Sequence, residues 1–295
     1  MSERTNGRVI AAHGRQYLVE LDSGETLLCF PRGKKSDVAC GDRVEVSRPS
    51  RDQGAIEAIV PRASLLYRSN EFRHKLIAAN VSQVLIVVAT EPGFSFDLVC
   101  RCLVAAQAQD VSTRIILNKN DLTERLPAAR EALAPFVALG IPVLELSAKN
   151  GAELLRPLLA GHTSLLVGQS GMGKSTLVNA LIPEAQAATR EISEALDSGK
   201  HTTTHARLYH LDPSSDTAGD LIDSPGLQDF GLQHLNQGEI EHAFPELSPY
   251  LGRCRFRDCR HDREPDCALR QALDTGKIDP RRWNVFHSLY LAARR

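Results

Sequence analysis

Eight consecutive residues constrain this chain more than any others: Gly168-Gln169-Ser170-Gly171-Met172-Gly173-Lys174-Ser175. The apolar run Ser164 to Val167 before them reads as a buried strand. Thr176 to Leu181 after them has helical spacing, with Leu177, Val178 and Leu181 on one face. Strand, glycine loop and helix is the context that the phosphate-loop pattern G-x-x-x-x-G-K-S requires. Glycine lets the backbone curl until successive N–H groups face one anion, and the helix N-terminus adds partial positive charge. Lys174 is then placed to reach the outer phosphates of a nucleotide, and the Ser175 hydroxyl, beside Thr176, to ligate Mg²⁺. A plain glycine turn ahead of a helix needs none of the fixed positions, so the pattern reads as nucleotide binding.

At 295 residues the chain can hold two or three cores. Hydrophobic residues at 42% and charged residues at 24% are ordinary for a globular protein. No apolar run approaches a membrane span and Met1 to Arg8 lacks the core of a signal peptide, so a cytoplasmic location and no membrane contact are expected. Seven cysteines without regular spacing argue against a disulfide framework. The net charge of −1 hides an uneven distribution: 14 basic against 21 acidic residues over 63–250, but 11 against 6 over 251–295. A basic terminal segment on an acidic body points to a polyanionic partner such as nucleic acid, although scattered solvated charge gives the same count.

In chain order, the stretches at 7–11, 16–21, 25–30, 41–46 and 55–60 predict five short strands and hence a small oligonucleotide-binding-type (OB-type) β-barrel over 1–62. Its loop Arg32-Gly33-Lys34-Lys35 is basic, as an RNA-facing loop or a solvated hairpin tip would be. From about residue 63 the pattern becomes α/β alternation, and 63–235 is expected to form one domain. Val84 to Ala89 reads as a strand buried on both faces, Phe96 to Gln109 as a helix and Arg114 to Leu117 as a strand. Glu124 to Leu139 reads as a helix interrupted near Pro135, Val143 to Leu146 as a strand, and Asp220 to Asp223 as another. The motifs stand at the carboxyl ends of these strands, where open α/β sheets bind ligands.

Two of those motifs select the base. Asn118-Lys119-Asn120-Asp121 ends one strand, and the Asp121 carboxylate can accept from two adjacent donors. Guanine presents such a pair, N1–H and the 2-amino group; adenine does not, and would leave the carboxylate unsatisfied at a cost of about 1–3 kcal/mol. Asn118 would tie the loop or approach N7, and the Lys119 stem would cover the base. Ser147-Ala148-Lys149, after the next strand, would offer the Ala148 N–H to guanine O6. Asp223-Ser224-Pro225-Gly226 matches D-x-P-G, with Asp223 holding a Mg²⁺-bound water and the Gly226 N–H facing the γ-phosphate. Between it and the phosphate loop, Gly199 to Thr204 supplies a metal-ligating threonine, either Thr203 or Thr204. An ordinary GTPase has its phosphate loop first and its guanine motifs last. Here the order is N-K-x-D, S-A-K, phosphate loop, threonine segment, D-x-P-G, a circular permutation that can leave the folded site intact.

Near the C-terminus, Cys254, Cys259, His261 and Cys267 form C-x4-C-x-H-x5-C, a donor set that suits one tetrahedral structural Zn²⁺ in a module expected over 236–295. Pro280 to Ala293, with Trp283, Phe286 and Leu289 at core spacing, is expected to be a helix packed on it. Arg253, Arg255, Arg257, Arg260 and Arg263 surround the cluster and could meet RNA phosphates or only water.

A barrel, a permuted GTPase domain and a Cys/His cluster, with Gly199 to Thr204, Asp223-Ser224-Pro225-Gly226 and Phe230-Gly231-Leu232, resemble the RsgA (YjeQ) family of small-ribosomal-subunit biogenesis GTPases over nearly the whole chain. The resemblance implies hydrolysis of GTP to GDP, stimulation by the small subunit, binding to that subunit and its rRNA, and a role in its late maturation by a monomeric protein. It also implies the zinc spacing, including Glu264-Pro265, and a catalytic part for His234. That part is needed because Leu227 stands where many GTPases carry a water-orienting glutamine, while Gln228 is one residue late. Rival readings are an RNA-binding zinc protein with GTP as a structural ligand, an ATP-using phosphotransferase, which Asp121 opposes, and a GTPase of another RNA particle.

Overall fold

A computed structural model describes residues 4–33, 37–50, 52–70, 73–183, 185, 206–212, 219–224 and 232–293. The strands are β1 (Arg4–His13), β2 (Gln16–Leu21), β3 (Thr26–Pro31), β4 (Arg43–Ser47), β5 (Gln53–Ile59), β6 (Leu65–Asn70), β7 (Arg73–Ala79), β8 (Gln83–Ala89), β9 (Ser112–Asn118), β10 (Val143–Glu145), β11 (Thr163–Val167), β12 (Arg207–His210) and β13 (Asp220–Asp223). The helices are α1 (Phe96–Gln107), α2 (Leu126–Ala138), α3 (Arg156–Leu159), α4 (Lys174–Leu181), α5 (Gln237–His242), α6 (Ala268–Asp274) and α7 (Pro280–Ala292).

The first five strands close on themselves in the order β1-β2-β3-β5-β4, because β1 also pairs with β4. Alternation along each strand turns Val9, Val19, Leu27, Cys29, Val44 and Ile56 into one interior. This is the expected barrel.

Strands β10-β9-β8-β11-β13 form a parallel sheet, with β12 antiparallel on its edge. All seven residues of β8 are buried, as a central strand covered on both sides must be. Val84, Ile86 and Val88 face the layer of α1, α2 and the C-terminal helices, whereas Leu85, Val87 and Ala89 face α4 and the turns near Leu155 and Leu159. Single residues alternate between two cores, so a register slip of one position would destroy both.

The helix at 126–138 runs through Pro135 rather than breaking there. The hydrogen bond that proline forfeits would end on Glu131, which is exposed and can bond water instead. The hairpin β6–β7 and the strand β12 were not foreseen from the sequence. Through β12 the barrel joins the sheet, Ala11 facing Arg207. Around that joint Arg8 donates to Asp220 and to Thr163 Oγ1 (2.8 Å), and the His210 ring bridges Asp220 Oδ1 (2.7 Å) and Glu20 Oε2 (2.9 Å). On the opposite side, Arg282 of α7 is 2% exposed, bonded to Glu246 at 2.7 and 3.1 Å, and lies over the Phe244 and Phe136 rings. The C-terminal helices are thereby packed into the same core as α1 and α2. Among the described residues no helix is long and apolar enough to cross a membrane.

Candidate functional site

The four strands β9, β10, β11 and β13 end at one edge of the sheet, and each delivers a motif there. Parallel pairing requires this: strands that run together must also end together.

After β11 the chain turns at Gly168, where a Cβ would sit 2.2 Å from the Val87 carbonyl oxygen, and enters α4 at Gly173, with φ of +91°. A Cβ on Gly173 would lie 2.2 Å from Asn118 Nδ2, so the phosphate loop and the strand β9 approach too closely for any side chain. Lys174 is 8% exposed, and its Nζ donates to the carbonyls of Gly168 (2.6 Å) and Gln169 (2.9 Å), curling the loop around the ammonium. Gln169 Oε1 accepts from Ser95 N at 2.7 Å, which fastens the loop to the start of α1. Ser170, Gly171, Ser175 and Thr176 face solution.

Asn118 is 1% exposed and acts as the tie. Its Nδ2 donates to the Met172 carbonyl at 2.9 Å, and its Oδ1 accepts from Lys119 N (2.8 Å) and Ala148 N (2.9 Å). The amide assigned to guanine O6 on sequence grounds thus meets Asn118 in this structure. Lys119 Nζ donates to the Glu91 and Gly171 carbonyls at 2.7 and 2.8 Å, spanning from the turn after β8 to the phosphate loop. Asn120 N donates to the Leu146 carbonyl at 3.2 Å, so the N-K-x-D and S-A-K segments form one rim. Asp121 is exposed on that rim with Lys149. The Ser147 hydroxyl beside it, helped by the charges of Lys149 and Lys119, holds its carboxyl below the usual range.

Asp223 ends β13 and is 8% exposed, with an Oδ1 that has no hydrogen-bond partner among the described residues. Burial pushes its pKa up to about 6, against the pull of Lys174. The same burial lowers the pKa of Lys174, which Asp223 only partly offsets. A buried anion and a buried cation at the mouth of a glycine loop fit a Mg²⁺-bound phosphate chain, which would supply each with its missing partner. Thr203, Thr204 and Gly226, with Leu227 and Gln228, lie outside the described residues. His234 is exposed, with its ring centroid 4.7 Å from that of Tyr67 on the β6–β7 hairpin.

Far from the nucleotide motifs in sequence, Cys254, Cys259, His261 and Cys267 bring their ligand atoms within 4.8 Å of one another. The Cys254 and Cys267 sulfurs are 3.8 Å apart, and His261 Nδ1 lies 3.6 and 3.4 Å from them. A tetrahedron with metal–sulfur bonds of about 2.3 Å and metal–nitrogen bonds of about 2.0 Å has edges of about 3.8 and 3.5 Å, so the donors are already spaced for Zn²⁺. Glu264 braces the loop by accepting from the amides of Arg260, Asp262 and Arg263, and these bonds lower its pKa to about 2.

Sequence reading missed Tyr67, Glu241 and the residues that join barrel to sheet. None of these stands in a motif; only the fold brings them to their partners.

A family model described as RsgA GTPase matches residues 59–233. Small ribosomal subunit biogenesis GTPases RsgA are similar to the chain: that of Burkholderia pseudomallei (strain K96243) is 57% identical over 98% of this chain and 91% of that protein. That of Bordetella pertussis is 56% identical over 97% and 95%. The crystal structure of YjeQ from Thermotoga maritima matches with a TM-score of 0.71 at 30% identity, covering 98% of both chains. That of YloQ, a circularly permuted GTPase, matches with a TM-score of 0.68 at 25% identity, covering 98% of this chain and 94% of the other. By its family model and by this identity over nearly its whole length, the chain belongs to the RsgA GTPase family and is a GTPase with permuted motif order.

Proposed function

We propose that this GTPase binds the immature small ribosomal subunit and its rRNA in a nucleotide-dependent way, and that the subunit stimulates its hydrolysis of GTP. The observation that carries the nucleotide half is the Asn118 tie, which sets Lys174, Asp223 and Asp121 around one mouth. Asn118, Lys119, Asn120, Asp121, Ser147, Ala148 and Lys149 take the guanine; Gly168 to Thr176 take the phosphates; Ser175, Thr203 or Thr204, and Asp223 serve Mg²⁺, with Gly226 at the γ-phosphate. The partner half is supported by the names of relatives more than half identical and by the basic tail over 251–295. The chain works as three modules, 1–62, 63–235 and 236–295, with Zn²⁺ stapling the last. His234 orients the attacking water once the subunit orders its segment, the place of the absent glutamine being filled by a swinging imidazole.

Phosphate release from GTP and from ATP, measured with and without purified small and large subunits, tests this reading. A rise with GTP and small subunits alone is expected. An equal rise with large subunits, or with ATP, overturns it. His234→Ala should retain GTP binding and lose the stimulated rate; full stimulated turnover would remove His234 from the mechanism.

A further inference from the structure

The His261 ring presents Nδ1 to the cysteine sulfurs, which leaves Nε2 on the opposite side of the imidazole. There it lies 3.1 Å from Glu241 Oε1, a carboxylate from a different element, α5. The ring is 5% exposed and walled by Phe286 and Tyr290, with centroids at 6.4 and 5.3 Å, so water has little access to Nε2. A metal-bound imidazole must give its lone pair from one nitrogen and carry its proton on the other. Only a fixed acceptor at the second nitrogen holds that tautomer and that ring plane.

We propose that Glu241 is the positioning residue of the metal centre: its carboxylate accepts the Nε2–H of His261 and so aims the Nδ1 lone pair at Zn²⁺. The inference rests on the reading of the cysteine and histidine cluster as a zinc site. Sequence spacing does not reveal it, because Glu241 precedes the first cysteine by thirteen residues and belongs to no metal motif. Its position has a mechanical consequence. α5 starts three residues after His234, behind a capping box in which Asn236 and Glu239 satisfy each other's backbone amides. The segment that follows Asp223 therefore runs into a helix latched onto the metal centre by one carboxylate.

The test is zinc transfer from the full-length, zinc-loaded protein to a colorimetric chelator, for wild type, Glu241→Ala, Glu241→Gln and Glu239→Ala. Loss of the carboxylate should weaken zinc retention about 10- to 100-fold. Glu241→Gln should fall between, since its amide oxygen still accepts the proton without adding charge. Glu239→Ala, which uncaps the same helix, should change retention far less than Glu241→Ala. Cobalt-substituted Glu241→Ala should also show an altered d–d absorption, which a purely structural role would leave in place. A wild type that holds no zinc would defeat the reading of the cluster itself. Zinc-holding wild type with Glu241→Ala inside twofold of it, or an equal loss in Glu239→Ala, would defeat the role of Glu241 alone.

Discussion

Replacing Asn118 by alanine removes three hydrogen bonds at once, to Met172 O, Lys119 N and Ala148 N, none of which involves a ligand. Each is worth about 1 kcal/mol net, and the Ala148 amide, 6% exposed, is left without its acceptor at a further cost of about 1 kcal/mol. The expected loss is about 3–4 kcal/mol of stability in nucleotide-free protein. For a domain of this size that is a fall of roughly 6–15 °C in Tm. Differential scanning calorimetry of the apo variant reads this directly, and equilibrium titration with GTP and GDP reads the loosened rim as weaker binding of both. Asn118→Asp sharpens the test. It keeps the acceptor for both amides but turns an oxygen toward the Met172 carbonyl, so its apo Tm should lie between wild type and alanine. If Asn118→Ala left the apo Tm unchanged while abolishing nucleotide binding, the side chain would act on the base itself and the tie would be irrelevant.

Three other substitutions follow from the same geometry. Asp223 has a folded pKa of about 6 against the ordinary 3.8, so the stability of its neutral form is complete below 3.8 and is lost as pH rises through about 6. Asp223→Asn should therefore raise the Tm of nucleotide-free protein at pH 7.5, by the equivalent of about 2 kcal/mol, while removing the gain that Mg²⁺ and GTP give wild type. Hydrogen bonding to Asp220 raises the pKa of His210, with Glu20 assisting, so its contribution is whole below pH 6.5 and vanishes as pH climbs through the raised value. Against wild type, His210→Gln should flatten the decline of Tm above pH 6.5, measured by thermal scans across that range. Arg282→Met strands the Glu246 carboxylate, 8% exposed, and should cost about 3 kcal/mol in denaturant titrations, whereas adding Glu246→Leu should restore most of it.

The nucleotide motifs were legible because each is local: a few consecutive residues contain both the chemistry and the strand end that presents it. The zinc ligands were legible for the same reason, all four falling between 254 and 267. What sequence alone left open at Asn118, tying the loop or meeting the base, the fold resolves as a contact to Met172, 54 residues away. The hairpin β6–β7 was missed because its apolar residues are few and mixed with polar ones, Leu65-Leu66-Tyr67-Arg68-Ser69-Asn70, so neither helical nor strand period dominates. The strand β12, Arg207-Leu208-Tyr209-His210, is hidden by its charge. It lies at the edge of the parallel sheet, half-covered by the barrel, and its Arg207 and His210 take partners that periodicity does not record.

The permuted order decides what moves with the nucleotide. Asp223 reaches the Mg²⁺ position at the end of β13, and the chain that leaves it next becomes describable at Leu232, 4% exposed and already packed in the core that α5 and α7 share. Between the buried carboxylate and the buried leucine lie eight residues, enough to respond to a phosphate but too few to decouple it from α5. At its other end β13 begins with Asp220, which Arg8 and His210 bind to the barrel. One four-residue strand thus has the barrel at its first residue, the metal ligand at its last, and the zinc-latched helix downstream. Removal of the γ-phosphate acts on the last residue alone, and the first is held by two charged partners, so the displacement passes forward, toward His234 and α5, rather than back into the barrel.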